Sequence, residues 1–129
     1  YKNKGFKFPK LIHSSSTISS SVKLSEGVII GPNCVISPNV SIGAMSYINF
    51  QCGIGHDSII SDYVQVNPGS QLGGTCRVGE ESIIGSGSTL VQGVTLGSKV
   101  TVASGSVVFG KVDDNLTIIG NPAKRIKIK

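Results

Sequence analysis

His56 and Asp57 stand side by side in "QCGIGHDSII", and Gly74 follows His56 by 18 residues. A neutral imidazole can take a proton from a hydroxyl or an amine, and a nearby carboxylate can fix its tautomer. A backbone N–H with no side chain in front of it can meet a developing oxyanion. Together these groups suit transfer of an acyl group to a nucleophile. The same residues also read as an ordinary surface histidine on a corner, since adjacent side chains on a strand diverge. What decides between the two is the element that carries them.

That element is a repeat. Counting in sixes from Ile18 to Val108, all sixteen positions are Ile, Leu or Val, and the series stops at Asp114. A second column at the same spacing, from Val22 through Cys34, Ser46, Cys52, Ser58 and Cys76 to Ser106, holds only small or β-branched residues. A helix cannot produce this, because a six-residue step turns a side chain by about 600° and scatters the aliphatics over three faces. Short strands joined by corners can, each hexad supplying one flat side with its large aliphatic and small partner pointing inward. Glycine often follows the aliphatic, as at Gly31, Gly43, Gly55, Gly73, Gly79, Gly85 and Gly97, which suggests a corner of restricted backbone geometry. Stacked turns bury one continuous core that no single hexad could bury alone. His56, two places beyond an inward aliphatic, is then expected outside the core, with Gly74 stacked on it one coil later. Asn49 and Asn67 share that spacing and are expected to form an amide ladder.

Composition narrows the partners. Of the twelve basic residues, Lys2, Lys4, Lys7 and Lys10 lie at one end and Lys124, Arg125, Lys127 and Lys129 at the other, leaving four basic against seven acidic residues between 11 and 123. That body offers neither a basic stripe nor aromatic platforms for nucleic acid. No apolar segment approaches the roughly 20 residues that span a bilayer, and the first ten lack the apolar core of a signal peptide. Cys34, Cys52 and Cys76 form no C-x-x-C pair and read as reduced, buried small hydrophobes of a cytoplasmic protein. The chain starts at Tyr1 without Met and reads as a fragment or a processed product.

Almost the whole chain resembles the C-terminal domain of hexapeptide-repeat sugar acyltransferases of the sialic-acid O-acetyltransferase and bacillosamine N-acetyltransferase type. The resemblance is carried by "LIHSSSTIS" at 11–19, "YINFQCGIGHDSIISDYVQVNPGSQLGG" at 47–74 and "IIGNPAKRI" at 118–126. It implies an all-β, left-handed parallel β-helix of about five 18-residue coils, with a repeat core at 18–108 and an irregular tail at 109–129. It further implies a homotrimer that uses acetyl-coenzyme A and no metal, with the donor lying between adjacent β-helices. By motif, His56 matches the catalytic base, Asp57 the residue that orients it, and Gly74 the N–H facing the thioester carbonyl. Asn49 matches a position near the acceptor sugar. Gly105, Pro122 and Lys124 match the lining of the donor's pantetheine arm or phosphate end. Gln65 stands where some relatives have a second histidine on the donor's thioester side; it can donate a hydrogen bond but cannot take a proton near neutral pH. His13 matches a structural cap.

Relatives often carry an upstream nucleotide-sugar-binding domain, which has no counterpart in these residues. Three imidazoles for an intersubunit zinc site are not available from His13 and His56. Nucleotidyltransferases use the same β-helix but place their activity in a large N-terminal domain. The expected function is therefore acetyl transfer to an amino or hydroxyl group of a sugar or nucleotide sugar. The alternative is a non-catalytic module that drives trimerisation.

Overall fold

The structure is a computed structural model that describes residues 2–127, so Tyr1, Ile128 and Lys129, including the last of the expected terminal charges, fall outside it. It is an all-β, left-handed parallel solenoid with one short 3₁₀ turn at Lys2–Lys4. The first face stacks Leu11–Ile12, Ile29–Ile30, Tyr47–Ile48, Gln65–Val66, Ile83–Ile84, Thr101–Val102 and Thr117–Gly120, ending in an antiparallel Ala123–Arg125. The second stacks Thr17–Ile18, Val35–Ile36, Gly53–Ile54, Gln71–Leu72, Thr89–Leu90 and Val107–Val108. The third stacks Lys23–Leu24, Ser41–Ile42, Ile59–Ile60, Arg77–Val78, Thr95–Leu96 and Lys111–Val112.

In each two-residue strand the second residue points inward, which is why the aliphatic column forms the core: Ile48, Ile84 and Leu90 are 0% exposed. The small column fills the corners. Its serines are buried yet satisfied, each bridging two coils: Ser46 Oγ donates to the Ser61 carbonyl (2.8 Å) and accepts the Val64 N–H (3.0 Å). No buried side-chain nitrogen or oxygen among the described residues lacks a partner. The three cysteines are free and buried, as expected. Cys34 and Cys52 donate to the carbonyls of Asn49 and Asn67, and burial pushes the Cys52 thiol up to about 11, so Cys52 acts as packing rather than as a nucleophile.

Three expectations need correction. The coiling does not end at Val108. The strand register, 18 residues in every earlier parallel pair, becomes 16 where Thr95 meets Lys111 and Thr101 meets Thr117. Only Phe109 and Gly110 separate Val108 from Lys111, so the last coil loses two residues at one corner and then continues inward at Val112 and Ile118. The glycines after the aliphatics do not serve backbone freedom. The left-handed conformation falls two residues later in the corner, at Asn39 (φ 61°), Asp57 (φ 58°) and Thr75 (φ 57°) among others. The glycines instead allow close approach of the next coil: a Cβ at Gly85 would lie 2.5 Å from the Ser104 nitrogen and 2.6 Å from the Val102 carbonyl oxygen. Asn49 and Asn67 form no ladder, because Asn49 Oδ1 accepts the Phe50 N–H (2.9 Å) and Asn67 Oδ1 accepts the Gln65 amide (2.7 Å).

Candidate functional site

His56 and Asp57 occupy the corner between Gly53–Ile54 and Ile59–Ile60, which joins the second face to the third. They are turn residues and not strand residues, so the rule that neighbours diverge does not apply. The left-handed backbone of Asp57 swings its carboxylate toward the preceding side chain, and His56 Nδ1 lies 2.8 Å from Asp57 Oδ2. An ionised carboxylate only accepts hydrogen bonds, so in the neutral ring the proton sits on Nδ1 and Nε2 keeps a lone pair. Asp57 is held below the usual carboxylate range, by His56 first and by the Asn39 amide second. His56 and Asp57 remain about half exposed.

Gly74 occupies the same corner one coil on. A Cβ there would land on the imidazole, 2.7 Å from Cε1 and 2.8 Å from Cδ2, and the glycine is buried under the ring. Gly74 has an ordinary backbone angle, so its requirement for glycine is set by His56 alone. The missing side chain of Gly55 matters too, because a Cβ there would fall on the Gly74 nitrogen. Among the described residues the Gly74 N–H makes no hydrogen bond. A shallow groove of about 230 Å³, lined by Gly53, Gly55, Gln71 and Leu72 with Val35, Ser37 and Ile54, runs beside it.

Gly74→Ala is therefore expected to keep the fold but push the His56 ring aside, cutting any reaction based on Nε2 by about 10²-fold. Turnover and the thermal midpoint measured on the same protein check this. An unchanged rate would show that the ring position does not matter.

The other expected residues lie elsewhere. Gln65 is exposed on the first face, and half-buried Asn49 is on the corner between the first and second faces. Gly105 is on that same corner near the C-terminal end, where the Gly120 N–H donates to Ser106 Oγ (3.2 Å). Pro122 turns the chain two residues after Gly120, and Lys124 pairs in register with Ile119 and points to solvent. One chain thus unites His56, Asp57 and Gly74 but not these five. His13 makes a local turn, with Nδ1 2.8 Å from Ser15 Oγ. Sequence reasoning missed Asn39, whose Nδ2 donates to Asp57 Oδ1 (3.2 Å) from one coil below. Counting back 18 residues from Asp57 finds it.

No group of three or more possible metal ligands occurs among the described residues, and no helix there is long and apolar enough to cross a membrane.

This solenoid, with its corner histidine over a bare glycine, is a hexapeptide-repeat domain of the acetyltransferase fold, related to bacterial sugar and nucleotide-sugar acetyltransferases. The chain belongs to the family described as GMPPB C-terminal domain, whose family model matches residues 8–118. Among solved structures, it is similar to the acetyltransferase domain of PglB from Neisseria gonorrhoeae in complex with acetyl coenzyme A. That match has 34% identity and a TM-score of 0.95, covering 97% of this chain and 61% of that one. A histidine-to-asparagine variant of perosamine N-acetyltransferase from Caulobacter crescentus, in complex with CoA and GDP-perosamine, matches at 32% identity and a TM-score of 0.97. It covers 98% of this chain and 60% of that one. WeeI from Acinetobacter baumannii matches at 25% identity and a TM-score of 0.93, with 97% and 61% covered. The chain thus spans about 60% of the length of these structures. Comparison with curated proteins gives no match.

Proposed function

We propose that this domain transfers an acetyl group from acetyl-coenzyme A to an amino or hydroxyl group of a sugar or nucleotide sugar, with His56 as general base. The observation that carries the reading is the unpartnered Nε2 of His56, held by Asp57 through Nδ1 and seated on buried Gly74. Nε2 takes the proton as the acceptor nitrogen or oxygen attacks the thioester carbonyl. The Gly74 N–H, open beside Gly55, stabilises the oxyanion. Collapse expels the thiolate, which takes the proton back from the imidazolium. The similarity to PglB with acetyl coenzyme A and to perosamine N-acetyltransferase with CoA and GDP-perosamine supports this choice of donor and acceptor class. A sialic-acid-like sugar is the oxygen-acceptor form of the same reading.

The working unit in this proposal is a homotrimer, and the outward residues support it. The third face presents Lys23, Arg77 and Lys111 to solvent. The first presents Leu11, Ile29, Tyr47, Gln65, Ile83 and Thr101, with charge only in its terminal hairpin at Lys124 and Arg125, and the second presents Thr17, Val35, Gly53, Gln71, Thr89 and Val107, with none. In a closed ring the first face of one copy meets the second face of the next, and equal residues sit at equal heights. Coils about 4.8 Å apart then place Tyr47 and Gln65 of a second copy within about 2.4 Å of the height of His56. Gln65 can there donate to the donor's thioester side. Gly105, Pro122 and Lys124 line the donor's arm and phosphate end, and Asn49 contacts the acceptor. The protein acts in the cytoplasm.

The second reading is a non-catalytic β-helix module that drives trimerisation; the family description names a C-terminal domain and no activity. Free-thiol release from acetyl-coenzyme A with amino and hydroxy sugars, alongside sedimentation, separates the two. A trimer that releases thiol with an acceptor is expected; a monomer, or a trimer of the full-length protein that releases none with any acceptor, sinks the proposal.

A further inference from the structure

We propose that Asn39 is a positioning residue which, through Asp57, holds the His56 ring in the form that leaves Nε2 free as a base. This rests on the proposed role of His56.

Asp57 is about half exposed, so its carboxylate would turn freely unless both oxygens were held. Both are held. Oδ2 meets His56 Nδ1 at 2.8 Å, and Oδ1 accepts from Asn39 Nδ2 at 3.2 Å. Since the carboxylate can only accept, the Asn39 amide must present its NH₂ side to it.

Asn39 is itself fixed from below. It stands at the left-handed corner position (φ 61°) one coil beneath Asp57, and its N–H donates to Ser21 Oγ at 2.9 Å. The corner backbones are also tied, the Asp57 N–H donating to the Pro38 carbonyl at 3.0 Å and the Thr75 N–H to the His56 carbonyl at 2.7 Å. Ser21, Asn39, Asp57 and His56 therefore form one chain of contacts rising through three coils to the reacting nitrogen. Without the Asn39 contact, Asp57 can rotate away from Nδ1, and the ring can place its proton on Nε2, where it blocks base action.

The test must spare the left-handed backbone, which alanine would strain. Asn39→Gly keeps that conformation and removes only the amide. Asn39→Asp keeps the shape but turns a donor into a carboxylate facing Asp57. In the full-length protein, Asn39→Gly is expected to lower kcat by about 3- to 10-fold with KM for acetyl-coenzyme A unchanged, and Asn39→Asp to lower it further.

Two readouts separate positioning from general support. Nitrogen-15 spectra of the imidazoles, assigned with His13→Gln because the chain has only two histidines, should show the Nδ1-protonated form of His56 depleted in Asn39→Gly. In an Asp57→Gly background, Asn39→Gly should cost nothing more. An unchanged kcat, an unchanged tautomer, or the same loss in that background overturns the inference. If the wild type releases no thiol at all, the reading of His56 fails, while the ring spectra still decide whether Asn39 sets its tautomer.

Discussion

Replacing His56 with alanine is expected to lower acetyl transfer by about 10²- to 10⁴-fold, the usual worth of a positioned general base. The fold and the trimer should be untouched, because the side chain is 54% exposed and outside both inward columns. Donor binding should persist, since the residues proposed to line the donor, Gln65, Gly105, Pro122 and Lys124, do not include His56. Asp57→Asn should cost less, because the base remains and only its orientation suffers. Stopped-time thiol release on the three proteins, with sedimentation to confirm assembly, decides the matter. A His56→Ala enzyme within threefold of wild type would remove the histidine from the mechanism.

Ile84→Asp is expected to abolish folding. Ile84 is 0% exposed, and its strand pairs in register with Val66 below and Val102 above, so a carboxylate there meets only aliphatic neighbours. An unpaired buried charge costs several kcal/mol, a large share of the roughly 5–15 kcal/mol that holds a domain together. The damage should also spread, because each coil is stabilised by the two it touches. Ile84→Val, with one methylene fewer, should cost only about 0.5–1.5 kcal/mol and serves as the control. Circular dichroism melts provide the measurement, and an Ile84→Asp protein melting with the wild type would contradict the column as the source of stability.

How much of this was legible in the sequence follows from what a period can encode. The inward columns, the stacking of Gly74 on His56 and the burial of Cys34 and Cys52 all came from spacing, since a fixed coil length turns sequence separation into vertical neighbourhood. The three-sided cross-section and its hand came from resemblance, because a period of six does not specify the angle at a corner. The last coil was lost because strict counting reached Asp114, although a step of four to Val112 restores the series at Ile118. The glycines were misread because exclusion of a Cβ by the next coil's backbone is a three-dimensional contact. The His56–Asp57 bond was hidden for a related reason, as it depends on a left-handed angle that aspartate tolerates but does not announce. The absence of charge from the parallel strands of the first and second faces was present in the strand-leading residues, but only the observed register shows which of them share a wall.

The shortened final corner shows where this molecule tolerates a change of length. The loss between Val108 and Lys111 falls on a bend and not within a flat side, so no hydrogen-bonded ladder had to slip, and Val112 and Ile118 still reach the core. Within a flat side the same loss would shift a strand against the coils above and below it, because the inward and outward positions there alternate. Insertions and deletions are thus confined to the bends, while the walls keep one fixed spacing.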